Sequence, residues 1–199
     1  LTNVTISDNT AYSTADYGGG GIFIREATPI LINSILYGNT PNEIEFEVVG
    51  YHESELDPSS ITISYSNIDG GEENIDIGSE GSIDWSENNI SVSPDFVDSD
   101  NGDYHLLASS QCINAGHPDS TDSDGTRSDI GAYPYLNSYS GPSWFIEVDG
   151  SDINGDGSPS SPFASIQAGL NFGSDDDTAY VSSGTYNENL VFRYDESES

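Results

Sequence analysis

Asp152-Ile-Asn154-Gly-Asp156-Gly157 places oxygen-bearing side chains at every second position and closes on a glycine. That is the spacing of a calcium loop, where alternate carboxylate and amide oxygens converge on one cation and the glycine allows a sharp turn. With Asp149 just ahead, the candidate metal set is Asp149, Asp152, Asn154 and Asp156, and calcium is the candidate ion. The twelfth position, counted from Asp152, holds Phe163 where an EF-hand loop has its bidentate Glu. An acidic turn capped by its own Asx side chains accounts for the same spacing. Asp98, Asp100 and Asp103, and the set Asp119, Asp122 and Asp124, are weaker candidates, because 35 acidic residues produce such spacings by chance.

Residues suited to nucleophilic or acid–base chemistry are few. Cys112 is the sole cysteine, so no disulfide forms within the chain, and its slot between Gln111 and Ile113 suits a buried thiol. His105 alternates with Tyr104 and Leu106 in a strand-like stretch with no identifiable acid–base partner, and His52 and His117 lie in loops. Arg127 stands among Asp119, Asp122, Asp124 and Asp129, where its planar fork suits a carboxylate ion pair. No pair of carboxylates can be singled out for glycosidic cleavage. Catalysis is not expected.

Charge excludes other classes. Three arginines (Arg25, Arg127, Arg193) and no lysine face 35 Asp+Glu, a net charge of −32. Nucleic acid and anionic membrane surfaces would be repelled, since no basic stripe exists to offset the field. No apolar run approaches the roughly 20 residues of a membrane span, so no membrane insertion is expected. The chain opens on Leu1 without an initiator Met or a signal peptide, from which a piece of a longer precursor is expected.

The elements that position these residues follow from a repeat. Leu1-Thr-Asn3-Val-Thr-Ile6-Ser-Asp8-Asn9-Thr10 aligns with Leu31-Ile-Asn33-Ser-Ile-Leu36-Tyr-Gly38-Asn39-Thr40, 30 residues on, and more loosely with Ile63-Ser-Tyr65-Ser-Asn67-Ile68-Asp69-Gly70. Period-two alternation with β-branched Val4, Ile6, Ile22, Ile24, Ile30, Ile32, Ile61 and Ile63 predicts short strands. A unit this short buries its apolar face only by stacking on its neighbours, and the recurring Asn suits a ladder at a turn. An antiparallel sandwich is the alternative.

The repeat, with Gly18-Gly-Gly-Gly-Ile22-Phe-Ile24 and Pro29 to Thr40, resembles right-handed parallel β-helix proteins of the pectate-lyase-like superfamily, large secreted bacterial surface proteins among them. In that family the glycine run makes a close turn between faces. Pro94 to Tyr135, with Asp95-Phe96, Gly102-Asp-Tyr104-His-Leu106, Cys112-Ile113-Asn-Ala-Gly116 and Asp122-Ser-Asp-Gly125-Thr-Arg127-Ser-Asp129-Ile-Gly-Ala132, resembles the closing segment of such proteins, with Gln111 in place of a usual Pro. Phe96, Tyr104, Leu106, Ile113, Ile130 and Tyr133 are then expected to cover an open coil end. Pro134 to Ser143, through Asn137-Ser-Tyr139-Ser-Gly141-Pro142, reads as a connector. Trp144 to Asn189, through Asp152 to Ser158, Pro162-Phe163, Ile166-Gln167 and Gly184-Thr-Tyr-Asn-Glu188-Asn189, resembles the opening segment of the same family. A short helix from Pro162 with Phe163, Ile166 and Leu170 on one face, then strands at Ala179–Val181 and Leu190–Phe192, would begin it.

The expected fold class is therefore all-β: right-handed parallel β-helix coils, a terminal segment and the start of a second β-helix module. The expected divisions are 1–92 late coils, 93–136 closing segment, 137–143 linker, and 144–199 opening segment with a short capping helix. The resemblance implies a noncatalytic structural module of a secreted or cell-surface repeat protein, serving adhesion, a surface layer or a head-to-tail filament stiffened by calcium. Its partners would be copies of itself or neighbouring β-helix modules. Polysaccharide binding or cleavage of the pectate lyase type is the alternative. Calcium-dependent lyases use an Arg or Lys base beside a carboxylate–calcium cluster, yet Arg25, with Glu26 beside it, is the sole basic residue of the coil portion. Tyr37, Tyr51, Tyr65, Trp85 and Trp144 would stack either on sugar rings or inside the coils. Asn3-Val-Thr5 and Asn89-Ile-Ser91 match the N-glycosylation sequon, a short pattern that recurs by chance.

Overall fold

The structure is a computed structural model that describes residues 1–12, 18–47, 58–78, 81–86 and 88–192; Tyr51, His52 and Arg193 lie outside these. Short strands and one helix make up the described chain, which forms two compact units: residues 1–94 with 114–134, and residues 95–113 with 135–199. The stretch 93–136, expected as one closing segment, thus contributes to both units.

In the first unit the chain visits three sheets in strict rotation. β1 (Thr5–Ser7), β4 (Ile35–Tyr37) and β7 (Asn67–Ile68) form one sheet. β2 (Ile22–Ile24), β5 (Ile44–Phe46) and β8 (Ile75–Asp76) form the second, and β3 (Ile30–Ile32), β6 (Ser60–Ser64) and β9 (Ser82–Trp85) the third. Every pairing is parallel, with registers such as Thr5↔Ile35, Ile35↔Asn67 and Leu31↔Ile63. The offsets of 30 and 32 residues are those of the sequence repeat. Thr2 also bridges Ile32, so residues 1–3 lie against β3 on the side away from β6.

The alternating isoleucines turn one face inward. Ile24, Leu31, Leu36, Ile44, Phe46, Ile61, Ile63, Ile68 and Ile75 form one buried cluster, with Ile6, Ile22, Ile83 and Trp85 packed at its margin. The corners repeat in backbone more faithfully than in sequence. Asn3, Asn33 and Tyr65, at φ 54°, 50° and 49°, occupy one left-handed corner of successive turns, and Asp8, Gly38 and Gly70, at φ 57°, 71° and 73°, the other. A left-handed tyrosine costs on the order of 1–2 kcal/mol, which the packed neighbours must offset. The glycine run answers a different demand: a Cβ on Gly20 would stand 2.4 Å from Thr40 N and 2.5 Å from Thr40 O.

In the second unit β10 (Phe96–Asp98) and β11 (Asp103–Leu106) form an antiparallel hairpin, whereas β12 (Ser143–Ile146) and β13 (Thr178–Val181) pair in parallel, Trp144↔Ala179. Between the latter two lies α1 (Ile166–Phe172). It starts later than the Pro162 signal suggests, because Ser165 accepts from Ala168 N as the N-cap. Its buried face is Gln167, Ala168, Gly169 and Phe172 rather than Ile166 and Leu170. Phe163 precedes the helix and is fully buried, stacking with Trp144 and Phe172. Leu190–Phe192, expected as a strand, forms none. No helix among the described residues is long and apolar enough to cross a membrane.

Candidate functional site

The Asp152 loop connects β12 to α1, and its oxygens meet backbone donors. Asp152 Oδ1 accepts from Ala164 N at 2.9 Å and Ser165 N at 3.2 Å, pinning the residues just before the helix. Asp156 Oδ1 accepts from Ser158 N at 2.9 Å, an Asx turn. Asn154 is held through its own N–H by Ser151 Oγ. Tyr135 donates its hydroxyl to Gly155 O, and burial, then the charges of Asp152 and Asp156, push that phenol up to about 12. Among the described residues no group of three or more His, Cys, Asp or Glu side chains stands where it would hold a metal ion. Through these bonds Asp152 and Asp156 serve as staples of the loop.

Other acidic motif residues behave alike. Glu188 accepts from Ile166 N at 2.8 Å and Gln167 N at 2.9 Å, one oxygen to each, so it caps α1. Asp177 accepts from Trp144 Nε1 at 2.8 Å and from Ser174 N, and the indole bond holds its carboxyl below the usual range. In the first unit, Asp129 accepts from Asn114 N, Asp122 from Asp129 N, and Asp124 from Thr126 N and Oγ1. Burial raises Asp122.

The basic residues and histidines differ from expectation. Arg127 makes no carboxylate pair among the described residues: its Nε donates to Gly116 O at 2.6 Å, and its guanidinium carbon lies 5.9 Å from the Tyr65 ring centroid. Three of the acids near it in sequence, Asp122, Asp124 and Asp129, accept from backbone N–H groups instead. Arg25 meets Glu47 rather than Glu26, Nε to Oε2 at 3.0 Å; the N–H misses the oxygen, so the contact is electrostatic rather than a hydrogen bond. His105 does have a partner: Nδ1 lies 2.7 Å from Asp103 Oδ1, and that bond holds the Asp103 carboxyl below its usual value. Both side chains are well exposed, so the pair is a surface contact. His117 packs edge-on to Tyr65 and accepts from Asp119 N. Cys112 is a fully buried thiol. Of the aromatics proposed for sugar stacking, Trp144 is buried, Trp85 packs on the core, and Tyr37 and Tyr65 are half-buried. Phe96 and Tyr104 meet edge-to-face, Leu106, Ile113 and Ile130 are buried, and Tyr133 is exposed.

Two polar ladders in the first unit are the built feature of the structure. Asn9 donates from both its backbone N and its Nδ2 to Asn39 Oδ1, and Asn39 in turn binds Glu43 through its backbone N and its Nδ2. Glu43 is fully buried, and desolvation raises its carboxyl above the usual value despite these donors. The second ladder is of serine: Val4 N donates to Ser34 Oγ, Ser34 N to Ser66 Oγ, and Ser66 N to Asn89 Oδ1. Asn89 also donates to Ile63 O and Ser86 O, so one of the two sequon asparagines is fully engaged. The recurring asparagine was legible in sequence; Ser34 and Ser66 were not singled out, although they share the 32-residue offset.

No family model, no curated protein and no solved structure matches the chain.

Proposed function

We propose that the chain is a noncatalytic structural segment of a secreted or cell-surface repeat protein, its first unit formed by coils of a right-handed parallel β-helix and its second by the start of a further coil stack. The observation that carries this reading is the strict rotation through three parallel sheets, at offsets of 30 and 32 residues along the β1–β4–β7 sheet, with polar ladders running from turn to turn. Such a stack gains its stability from neighbour-on-neighbour contacts and presents repeated side chains along its length, which suits a spacer or scaffold. The resemblance of the glycine run and of the two boundary segments to pectate-lyase-like proteins supports it, and the acidic, lysine-free surface suits an exposed module.

Against catalysis stands the use of the described acids: Glu43, Asp122, Asp124, Asp129, Asp152, Asp156 and Glu188 each accept from nearby N–H groups. Native-state hydrogen exchange tests the coil reading. Strands β4, β5 and β6, paired on both sides, should open together as the slowest-exchanging unit. Fast, independent exchange of these three strands would refute it. Incubation with polygalacturonate or alginate and calcium tests the alternative: accumulation of unsaturated sugar ends would make the chain a lyase.

A further inference from the structure

An asparagine followed by glycine carries a latent reaction, because glycine has no Cβ to keep its N–H away from the preceding side-chain amide. The chain holds two such pairs, Asn101-Gly102 and Asn154-Gly155. The folded structure treats them differently. Asn154 is exposed, but the nitrogen that would react belongs to Gly155, which is buried and donates to Ser151 O at 3.0 Å. Gly155 O accepts from the Tyr135 hydroxyl, and Asn154 N donates to Ser151 Oγ. A Cβ on Gly155 would stand 2.1 Å from Ser151 O and 2.6 Å from Pro162 O, so the backbone there is enclosed by other backbone.

Asn101 and Gly102 lie in the connection between β10 and β11, at the end of a short 3-10 turn (Ser99–Asn101). Both residues are exposed, and a Cβ on Gly102 would meet nothing within 4 Å. Gly102 stands at φ 82°, a left-handed conformation that glycine adopts without steric cost. Two bonds hold the pair: Gly102 N donates to Ser99 O at 3.0 Å, and Asn101 Nδ2 to Asp98 Oδ2 at 2.7 Å. Both lie in an exposed turn, where water replaces either partner at little cost. Once they open, the Gly102 nitrogen and the Asn101 amide carbon can meet.

We propose that Asn101 is a self-modification site, at which the chain converts an asparagine to aspartate or isoaspartate with water as the sole co-reactant. Gly102 N attacks Asn101 Cγ. The new N–Cγ bond closes a succinimide ring, the Cγ–Nδ2 bond breaks, and the Gly102 proton leaves with the ammonia. Water then adds to one of the ring carbonyls. Opening at Cγ leaves aspartate, and opening at the backbone carbonyl leaves isoaspartate, with the main chain running through Cβ and Cγ. Either product replaces the amide that donates to Asp98 with a carboxylate, in a turn that already carries Asp98, Asp100 and Asp103. The modification thus turns a hydrogen bond into a like-charge contact and loosens the hairpin. It involves the second unit alone and stands apart from the coil reading.

The test is ageing of the folded full chain in mildly alkaline buffer, followed by peptide mass spectrometry with electron-transfer fragmentation, which separates aspartate from isoaspartate. The Asn101 peptide should lose its amide progressively and yield both products. Asn154 should react at least roughly tenfold more slowly, because the Gly155 N–H must first leave a buried hydrogen bond. In concentrated urea the two sites should react at similar rates, since the folded environment is then gone. Asn101→Gln, whose longer side chain closes a ring far less readily, should keep its amide over the same period. An Asn101 that stays intact, equal rates in the folded chain, a difference that survives in urea, or ammonia loss from Asn101→Gln at the wild-type rate would each overturn the proposal.

Discussion

Ser66→Ala separates a turn-spanning ladder from incidental hydrogen bonding. Ser66 and Ser34 are both fully buried, and Ser66 Oγ is the acceptor 3.2 Å from Ser34 N. Alanine removes that acceptor at a corner water does not reach, leaving the Ser34 N–H desolvated at a cost of about 1–3 kcal/mol. Ser34→Ala is the same chemical change one turn earlier, and each hydroxyl also donates to a carbonyl two residues back. The N–H it orphans belongs to Val4, which is half-buried, so water takes over and the expected loss is about 0.5–1 kcal/mol. The assay is urea unfolding followed by tryptophan fluorescence. Trp85 lies in the first unit and Trp144 in the second, so Trp144→Phe in all samples leaves a reporter of the ladder's own unit. With a urea slope of about 2 kcal/mol/M, Ser66→Ala should lower the midpoint by about 1 M and Ser34→Ala by less than half as much. Equal losses, or the reverse order, would refute the ladder as a stabilising device.

Burial raises the carboxyl of Glu43, so the folded chain holds that proton at pH values where the unfolded chain has released it. Its share of stability is full below the ordinary value of 4.5 and is lost as pH rises through the folded value; Glu43→Gln should flatten the fall of melting temperature with pH in that window, and an unchanged slope would count against it. Gly20→Ala should cost about 3 kcal/mol or more, because its Cβ meets Thr40 backbone atoms at 2.4 and 2.5 Å, whereas Gly102→Ala, with nothing within 4 Å but φ +82°, should cost about 1–2 kcal/mol by the same melts. Asp152→Ala should lower the melting temperature of the second unit equally in calcium and in chelator, because it removes an acceptor of two backbone N–H groups. A calcium-dependent rise in wild type that vanishes in the variant would make the loop a metal site.

The first unit was readable because its information is periodic. The Leu1 and Leu31 copies aligned at 30 residues, the Ile63 copy at 32, and the β1/β4, β4/β7 and β3/β6 registers use these same offsets, whereas β2/β5 and β6/β9 pair at 22. Each inward isoleucine sits where period two puts it, since a pleated strand leaves no other choice once one face is buried. The corners were less legible. Asn3 and Asn33 announce a left-handed residue, but Tyr65 does the same work with a side chain that disfavours it, its ring lying against His117 and the Arg127 guanidinium, which are far along the sequence. The second unit shows what a local pattern misses: Pro162 and Phe163 suggest a helix start, yet Ser165 caps it and Glu188, more than twenty residues on, binds its first N–H groups.

That last pair explains why the candidate metal site was not settled by spacing. A carboxylate two residues from the next oxygen satisfies a cation loop and an Asx turn equally, and the sequence does not say which donors lie opposite. In the folded chain, Asp152 faces Ala164 N and Ser165 N, and Asp156 faces Ser158 N. Glu188, Asp177 and Asp129, in quite different motifs, face N–H groups as well. A chain of short strands has many turns, and every turn leaves amide protons without a ladder partner. With no lysine and three arginines against 35 acids, few of these carboxylates can be paired with a cation, and main-chain N–H groups are frequent partners. The acidity of this sequence thus serves its architecture in part: several of its corners are closed by a carboxylate, as Asp152, Asp156 and Glu188 show, while others are closed by serine and asparagine.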